Sequence, residues 1–205
     1  MPVTDARELA LFPLQTVLFP GGLLSLKVFE ARYLDLVAAC LRENRPFGVV
    51  ALRSGGEVRR DTKPVSFETT GVLAELLDVD SAQSGILQVR CRGGQRFSIA
   101  GRRQQADGLW LASIEAVDDD PPVVPREALL DTVRGLANAI ASLKSQGAEP
   151  FLQPYRFDDA GWVANRWCEI LPISLAAKQK LMELPDPQVR LQLVDEFLRG
   201  KGVVK

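Results

Sequence analysis

The stretch Leu11-Phe12-Pro13-Leu14 … Val17-Leu18-Phe19-Pro20-Gly21-Gly22-Leu23-Leu24-Ser25-Leu26-Lys27-Val28-Phe29-Glu30-Ala31-Arg32-Tyr33 decides how the chain reads. An apolar run ends at Pro20. Pro20-Gly21-Gly22 then makes a tight turn, because proline presets one φ and glycine tolerates a positive one. Leu24, Leu26 and Val28 alternate with Leu23, Ser25 and Lys27, which is the period of a strand. At Phe29-Glu30 the period lengthens to about 3.6, so that Tyr33, Leu36, Val37, Cys40 and Leu41 share one helix face. The order is strand, turn, strand, helix. Glu30 stands where the helix dipole favours a carboxylate. Phe29, just before the helix, is expected to pack back on the first turn near Tyr33 and to be buried there. On this reading Pro20, Gly21, Gly22, Glu30, Arg32 and Tyr33 are structural residues, the alternatives being a ligand approaching the bare backbone of Pro20-Gly21-Gly22 and a binding role for Glu30, Arg32 and Tyr33; Phe29 is structural and not a ligand contact.

Working outward, residues 1–8 form a polar arm, and Leu9 to Leu14 is the first apolar segment. The helix stops near Asn44, with Pro46 as a breaker. Phe47 to Arg53 reads as a buried strand, Ser54 to Lys63 as a polar loop, and Thr69 to Val79 as a longer strand before a turn over Asp80 to Gly85. Leu87, Val89 and Cys91 alternate with Gln88, Arg90 and Arg92. Gly93-Gly94 follows, and then Phe97 and Ile99 resume the alternation. A two-residue glycine link suits the primed turns of hairpins, so a hairpin turning at Gly93-Gly94 is predicted. Trp110 to Val117 is one more strand.

The chain changes character at Asp118-Asp119-Asp120-Pro121-Pro122-Val123-Val124-Pro125. Proline blocks both helix and ladder bonding, and the carboxylates favour solvent, so this stretch reads as a boundary. Beyond it Leu129, Val133, Leu136, Ile140 and Leu143 recur at helical spacing, with Gly147 to close the helix. Asp158, Ser174 and Asp186-Pro187 are caps for three more helices. The expectation is an α+β protein in two parts. Residues 1–118 are a β-rich subdomain with one early helix, 119–125 a linker, and 126–205 a helical subdomain.

Several chemistries are excluded. The 205 residues contain no histidine, which removes Ser-His-Asp and Cys-His catalysis and any His-ligated metal. Cys40, Cys91 and Cys168 fit no zinc spacing and read as buried thiols. No catalytic residue, metal or cofactor is expected. The net charge of −1 exerts no global pull on nucleic acid or anionic membrane. No apolar run approaches the roughly 18 residues of a membrane span, and the first residues lack an apolar signal segment. A cytoplasmic protein without a membrane partner is expected. Two surface candidates remain. Arg90, Arg92 and Arg96, with Arg102 and Arg103, lie in a stretch without Asp or Glu from Ser81 to Ala106. They could hold a phosphate backbone or an acidic peptide, or simply form a solvated sheet face. Phe151, Tyr155 and Phe157 lie among prolines as candidates for an exposed apolar contact.

Four blocks, taken in order, resemble the Lon protease N-terminal domain family, the substrate-recognition module also found in cereblon. They are the opening Phe-Pro-Leu … Val-Leu-Phe-Pro-Gly-Gly … Phe29-Glu30-x-Arg32-Tyr33; Phe47-Gly-Val-Val with Gly71-x-x-Ala74-Glu75; Gly93-x-x-Arg96-Phe97-x-Ile99; and Leu171-Pro-Ile-Ser174 … Lys178-Gln179-x-Leu181-x-Glu183-Leu184-Pro185-Asp186-Pro187 … Arg190-Leu191. Ala31, Val72 and Leu175 depart from residues common in the family. The resemblance implies a PUA-like β-barrel followed by a C-terminal helical bundle. Full Lon proteases continue into ATPase and Ser-Lys protease domains, whereas this sequence has no Gly-x-x-x-x-Gly-Lys-Ser/Thr phosphate loop. The implied function is an ATP-independent, non-catalytic module standing alone, whose partners are peptides, unfolded protein segments or another protein. The expected surfaces are the junction of barrel and bundle and any exposed barrel edge. The alternatives are RNA binding through Arg90, Arg92 and Arg96, and small-molecule recognition in a cereblon-like pocket.

Overall fold

A computed structural model describes residues 8–57 and 64–205. The expected polar arm therefore lies outside the described residues except for Glu8, as does the expected loop from residue 58 to 63. The chain forms two compact units, residues 1–118 and 119–205, and is α+β.

In the first unit the strands are β1 (Leu9–Leu14), β2 (Leu23–Val28), β3 (Phe47–Ser54), β4 (Ser66–Phe67), β5 (Thr70–Gln83), β6 (Ile86–Gln104) and β7 (Trp110–Ala116). β1 is buried along its whole length, the mark of a strand covered on both faces. It pairs with β7, β7 with β6, β6 with β5, β5 with β3, and β3 returns to β1 in parallel. The pairings close a ring, so this is a β-barrel, antiparallel except where β1 meets β3. Leu9, Leu11, Val50, Leu52, Phe67, Phe97 and Ala112 form a cluster in its core. β2 lies off the ring, paired to β6.

The Pro-Gly-Gly turn has a tertiary partner. Gly22 N–H donates to Phe19 O at 2.9 Å, and Gly21 has φ 72°, as a type II turn centred on Pro-Gly requires. Gly21 N–H donates to Gly93 O at 2.7 Å, and Gly93 N–H to Gly22 O at 2.8 Å. Two residues thus oppose one, in the glycine-first bulge that sharpens strand twist. This corrects the expected hairpin. β6 runs unbroken through Gly93-Gly94, and a Cβ on Gly93 would lie 2.1 Å from Phe19 O. Gly93 is bare so that another backbone can approach. The hairpin itself turns at Ser84-Gly85, between the paired residues Gln83 and Ile86.

Helix α1 (Ala31–Glu43) is fastened to the barrel by its first residues. The Arg32 guanidinium donates to Gly108 O at 2.8 Å, pairs with Glu30 at 3.1 Å and lies 4.5 Å over the Tyr33 ring. Tyr33 stacks on Phe12 with ring centres 3.8 Å apart. Burial pushes its phenol up to about 12. Phe29 does not take the place expected for it. It is 52% exposed, because Phe12 from β1 already fills the contact on Tyr33.

The second unit opens with a 3-10 turn (Glu127–Leu129) and holds α2 (Leu130–Ser145), α3 (Ala160–Ile170), α4 (Leu175–Glu183) and α5 (Pro187–Gly200). Asp159, one residue past the expected Asp158, caps α3 by accepting from Gly161 and Trp162 N–H. Ser174 caps α4, and Asp186 caps α5 with Pro187 at its start. Leu136, Val163, Ala164, Cys168, Leu191 and Leu198 are buried between the helices. Trp167 Nε1–H reaches Thr132 O at 3.0 Å.

The stretch 119–125 is not a bare linker. Arg190, 1% exposed, donates to both carboxylate oxygens of Asp120, to Asn165 Oδ1 at 3.0 Å, to Leu181 O at 2.8 Å and to Leu184 O. Ala160 N–H donates to Val123 O, and Gln188 Nε2–H to Val124 O. Prolines exclude this stretch from helix and ladder, and its hydrogen bonds go to helix ends and side chains instead.

A second ion pair in this unit, between Arg166 and Glu169, carries a perturbed carboxyl. Arg166, fully buried, pairs with Glu169 at 2.7 Å. Burial pushes the Glu169 carboxyl from its usual 4.5 up to about 7, against the pull of Arg166 and Lys178. Its folded pKa is raised, so between these values the native state holds more protons than the unfolded chain, and stability falls as pH rises. The unfolding free energy of the native protein minus that of Glu169→Gln is therefore expected to decline from pH 5 to 7 and to level off above. Urea titrations at several pH values measure it; a difference that stays flat or rises refutes the assignment.

Candidate functional site: an open strand edge

A groove of about 440 Å³ lies in the first unit. Phe12, Leu14, Gln15 and Thr16, at the end of β1, form one wall, and Tyr33 closes it from α1. The other wall is the unbroken run Leu24 to Glu30. Successive strand residues point to opposite faces, so a wall of consecutive residues means that the groove follows the strand's edge. Among the described residues β2 pairs only with β6, and its other edge is open. Phe29 stands exposed at the end of that edge.

The groove's charges are unequally occupied. Glu30 is tied to Arg32. Glu57 accepts from the Gln15 backbone N–H at 2.5 Å. Lys27, exposed on β2, forms no ion pair with a described residue. An apolar wall, an open ladder and one ammonium are suited to holding a chain. Among the described residues no group of three His, Cys, Asp or Glu could hold a metal. The three cysteines are buried, and burial pushes the Cys91 and Cys168 thiols up to about 12.

The sequence candidates fall elsewhere. Arg96 is 3% exposed and donates to Asp118 O at 2.9 Å. Arg92 is held by Glu75 at 2.6 Å, and Asp78 stands directly across β5 from Arg90. Arg103 pairs with Glu8, and Arg102 lies over the Phe67 and Trp110 rings. Arg92 and Arg103 of this acid-free run thus find their carboxylates elsewhere in the fold, in Glu75 of β5 and Glu8 before β1, and not along the chain. Arg96 is buried, while Arg90, Arg92, Arg102 and Arg103 are exposed. Phe151 is buried, which corrects its reading as an exposed contact; Tyr155 and Phe157 are half-buried. All three pack around Trp162, with ring centres 5.4–6.5 Å from it, and Lys144 lies over Tyr155. α3 gathers them because Trp162 offers a ring face that the helix core does not cover. The groove beside β2 carried no separate signal, since nothing local says how many neighbours a strand has.

Among the described residues no helix is long and apolar enough to cross a membrane. The chain is 27% identical to the Lon protease of Anaeromyxobacter dehalogenans over 199 residues, which are 94% of this chain and 23% of that protein. It is 26% identical to Lon protease 2 of Myxococcus xanthus over 201 residues, 95% of this chain and 24% of that one. It thus spans about a quarter of the length of these curated relatives. The crystal structure of a Lon N-terminal domain protein from Xanthomonas campestris superposes with a TM-score of 0.74 at 29% identity, covering 92% of this chain and 96% of that one. The N-terminal domain of a Mycobacterium avium complex Lon protease, at 16% identity and a TM-score of 0.61, shares the fold. The profile of the ATP-dependent protease La (LON) substrate-binding domain matches residues 8–200, and the chain belongs to that family.

Proposed function

We propose that this protein is a non-catalytic binding module that holds extended polypeptide segments in the groove beside β2. The observation that carries the reading is the apolar groove along an open strand edge, ending at the exposed Phe29. Concave, largely apolar sites with a few polar groups are the common form of ligand pockets. Exposed strand edges are a recurring way to take up extended peptides. The family's description as a substrate-binding domain of a protease supports a protein ligand. ATP-driven steps and peptide cleavage are properties of longer Lon proteins and are not part of the function proposed here.

The test is binding of fluorescently labelled, reduced and carboxymethylated α-lactalbumin, with the native form as the control. The unfolded form is expected to bind more tightly. Phe29→Ala is expected to weaken it about 5- to 30-fold, the equivalent of burying roughly half to all of a large apolar side chain. Its stability should stay within about 0.5 kcal/mol of the native protein, as for other exposed positions. Equal binding of folded and unfolded forms, or native affinity in Phe29→Ala, overturns the reading.

A further inference from the structure

We infer that the groove takes its guest as an added β-strand on β2, and that it selects a segment with apolar residues at alternate positions and an acidic residue between them. This rests on the reading of the groove as a polypeptide site and specifies its mode and sequence preference.

The phase of the β2–β6 ladder determines which backbone groups are open. Leu23 faces Arg92, Leu24 faces Cys91 and Val28 faces Leu87. Continued by one residue, this register sets Gly22 against Gly93, and Gly93 N–H donates to Gly22 O at 2.8 Å. A directly opposed pair that exchanges such a bond is a hydrogen-bonded pair, and these recur at every second residue. Leu24, Leu26 and Val28 therefore spend their backbone groups on β6. The N–H and C=O of Leu23, Ser25 and Lys27 point the other way, into the open edge. The Pro20-Gly21 turn and its bulge against Gly93 hold this phase in place.

Side chains set the preference. A guest strand places residues opposite Leu24, Leu26 and Val28 on the face that those side chains share, beside the apolar wall of Phe12 and Leu14. Its alternate residues stand opposite Ser25 and Lys27, which are exposed. Lys27 faces the uncharged Gln88 across the ladder, and neither groove carboxylate is bound to it. A lysine on an open edge discourages indiscriminate pairing, and the same ammonium favours a guest carboxylate as a cross-strand partner.

The probe is a fluorescein-labelled nine-residue peptide alternating valine and threonine, with one central threonine replaced by aspartate, added to the full chain. In the free protein the Leu23, Ser25 and Lys27 amides should exchange rapidly with solvent, and those of Leu24, Leu26 and Val28 slowly. Saturating peptide should slow exchange at the first set by about tenfold or more, as expected for amides taken into a ladder. N-methylation of one alternate set of peptide amides should weaken binding by about tenfold, through two or three lost hydrogen bonds, and of the other set far less. Aspartate to lysine in the peptide should weaken binding about two- to fivefold. Binding that depends on Phe29 but leaves the three amides unprotected, and tolerates N-methylation equally in both sets, refutes strand addition while the polypeptide site stands. Failure of both the peptide and the unfolded α-lactalbumin to bind overturns the inference together with the reading beneath it.

Discussion

Replacing Arg190 with alanine is expected to destabilise the second unit by about 3–5 kcal/mol, the range for breaking a buried ion pair by removing one partner. The guanidinium is buried and its donors reach Asp120, Asn165 and the carbonyls of Leu181 and Leu184. Removal takes the cation from the half-buried Asp120 carboxylate and one donor each from Asn165 Oδ1 and the Leu181 and Leu184 carbonyls. Domains of ordinary stability have only about 5–15 kcal/mol to lose. Trp162 and Trp167 both lie on α3 and Trp110 on β7, so in a Trp110→Phe background tryptophan fluorescence reports this unit in a urea titration. Asp120→Asn keeps an oxygen acceptor at the same place and should lose less, about 1.5–3 kcal/mol, as for one hydrogen bond to a charged group. A native midpoint in Arg190→Ala would show that the arginine is not the fastening of the 119–125 stretch to the helices.

Gly93→Ala is expected to be almost as damaging, at about 3 kcal/mol or more. Overpacking commonly costs about 1–3 kcal/mol, and here the clash is backbone against backbone. The new Cβ would stand 2.1 Å from Phe19 O. Relief requires the Pro20-Gly21 turn to withdraw, which breaks the bonds from Gly21 N–H to Gly93 O and from Gly93 N–H to Gly22 O, at about 0.5–1.5 kcal/mol each. The adjacent Gly94→Ala is the control. Its Cβ meets Glu75 Oε1 at 2.9 Å, the end of a side chain that can move aside, so the loss should stay below about 1 kcal/mol. Equal losses at the two positions would refute the docking of the turn on β6. Because the bulge sets the phase of β2, Gly93→Ala should also weaken the valine–threonine peptide by more than its stability loss accounts for at a temperature where it remains folded.

Much of the architecture was legible in local chemistry. The alternation over Leu23 to Val28, the helical spacing from Tyr33 to Cys40, the Ser174 cap and the Asp186-Pro187 start each depend on neighbours along the chain, and each element formed where its residues place it. The order of those elements was enough to imply α+β, and the motif series was enough to suggest the family to which the chain belongs. The errors share a cause. Gly93-Gly94 has the composition of a turn, but Gly93 is a bare spot under another backbone. The two states look alike until Phe19 is brought to it. Phe29 precedes a helix as a packing residue would, and only the arrival of Phe12 on Tyr33 leaves it facing solvent.

The candidate site belongs to the same class of information. By itself the sequence determined which residues alternate, where caps and turns fall, and that histidine chemistry is excluded, because each is a property of residue type or short spacing. Tertiary structure alone decided that, among the described residues, β2 pairs only with β6 and leaves its other edge open, and that Glu75 of β5 pairs with Arg92 of β6. It also decided that Asp120 is drawn out of solvent onto Arg190. The Arg92–Glu75 and Arg190–Asp120 pairs join residues 17 and 70 positions apart, β1 pairs with β7 about a hundred positions away, and no local pattern encodes which of many such partners the closed barrel or the helix packing will bring within reach.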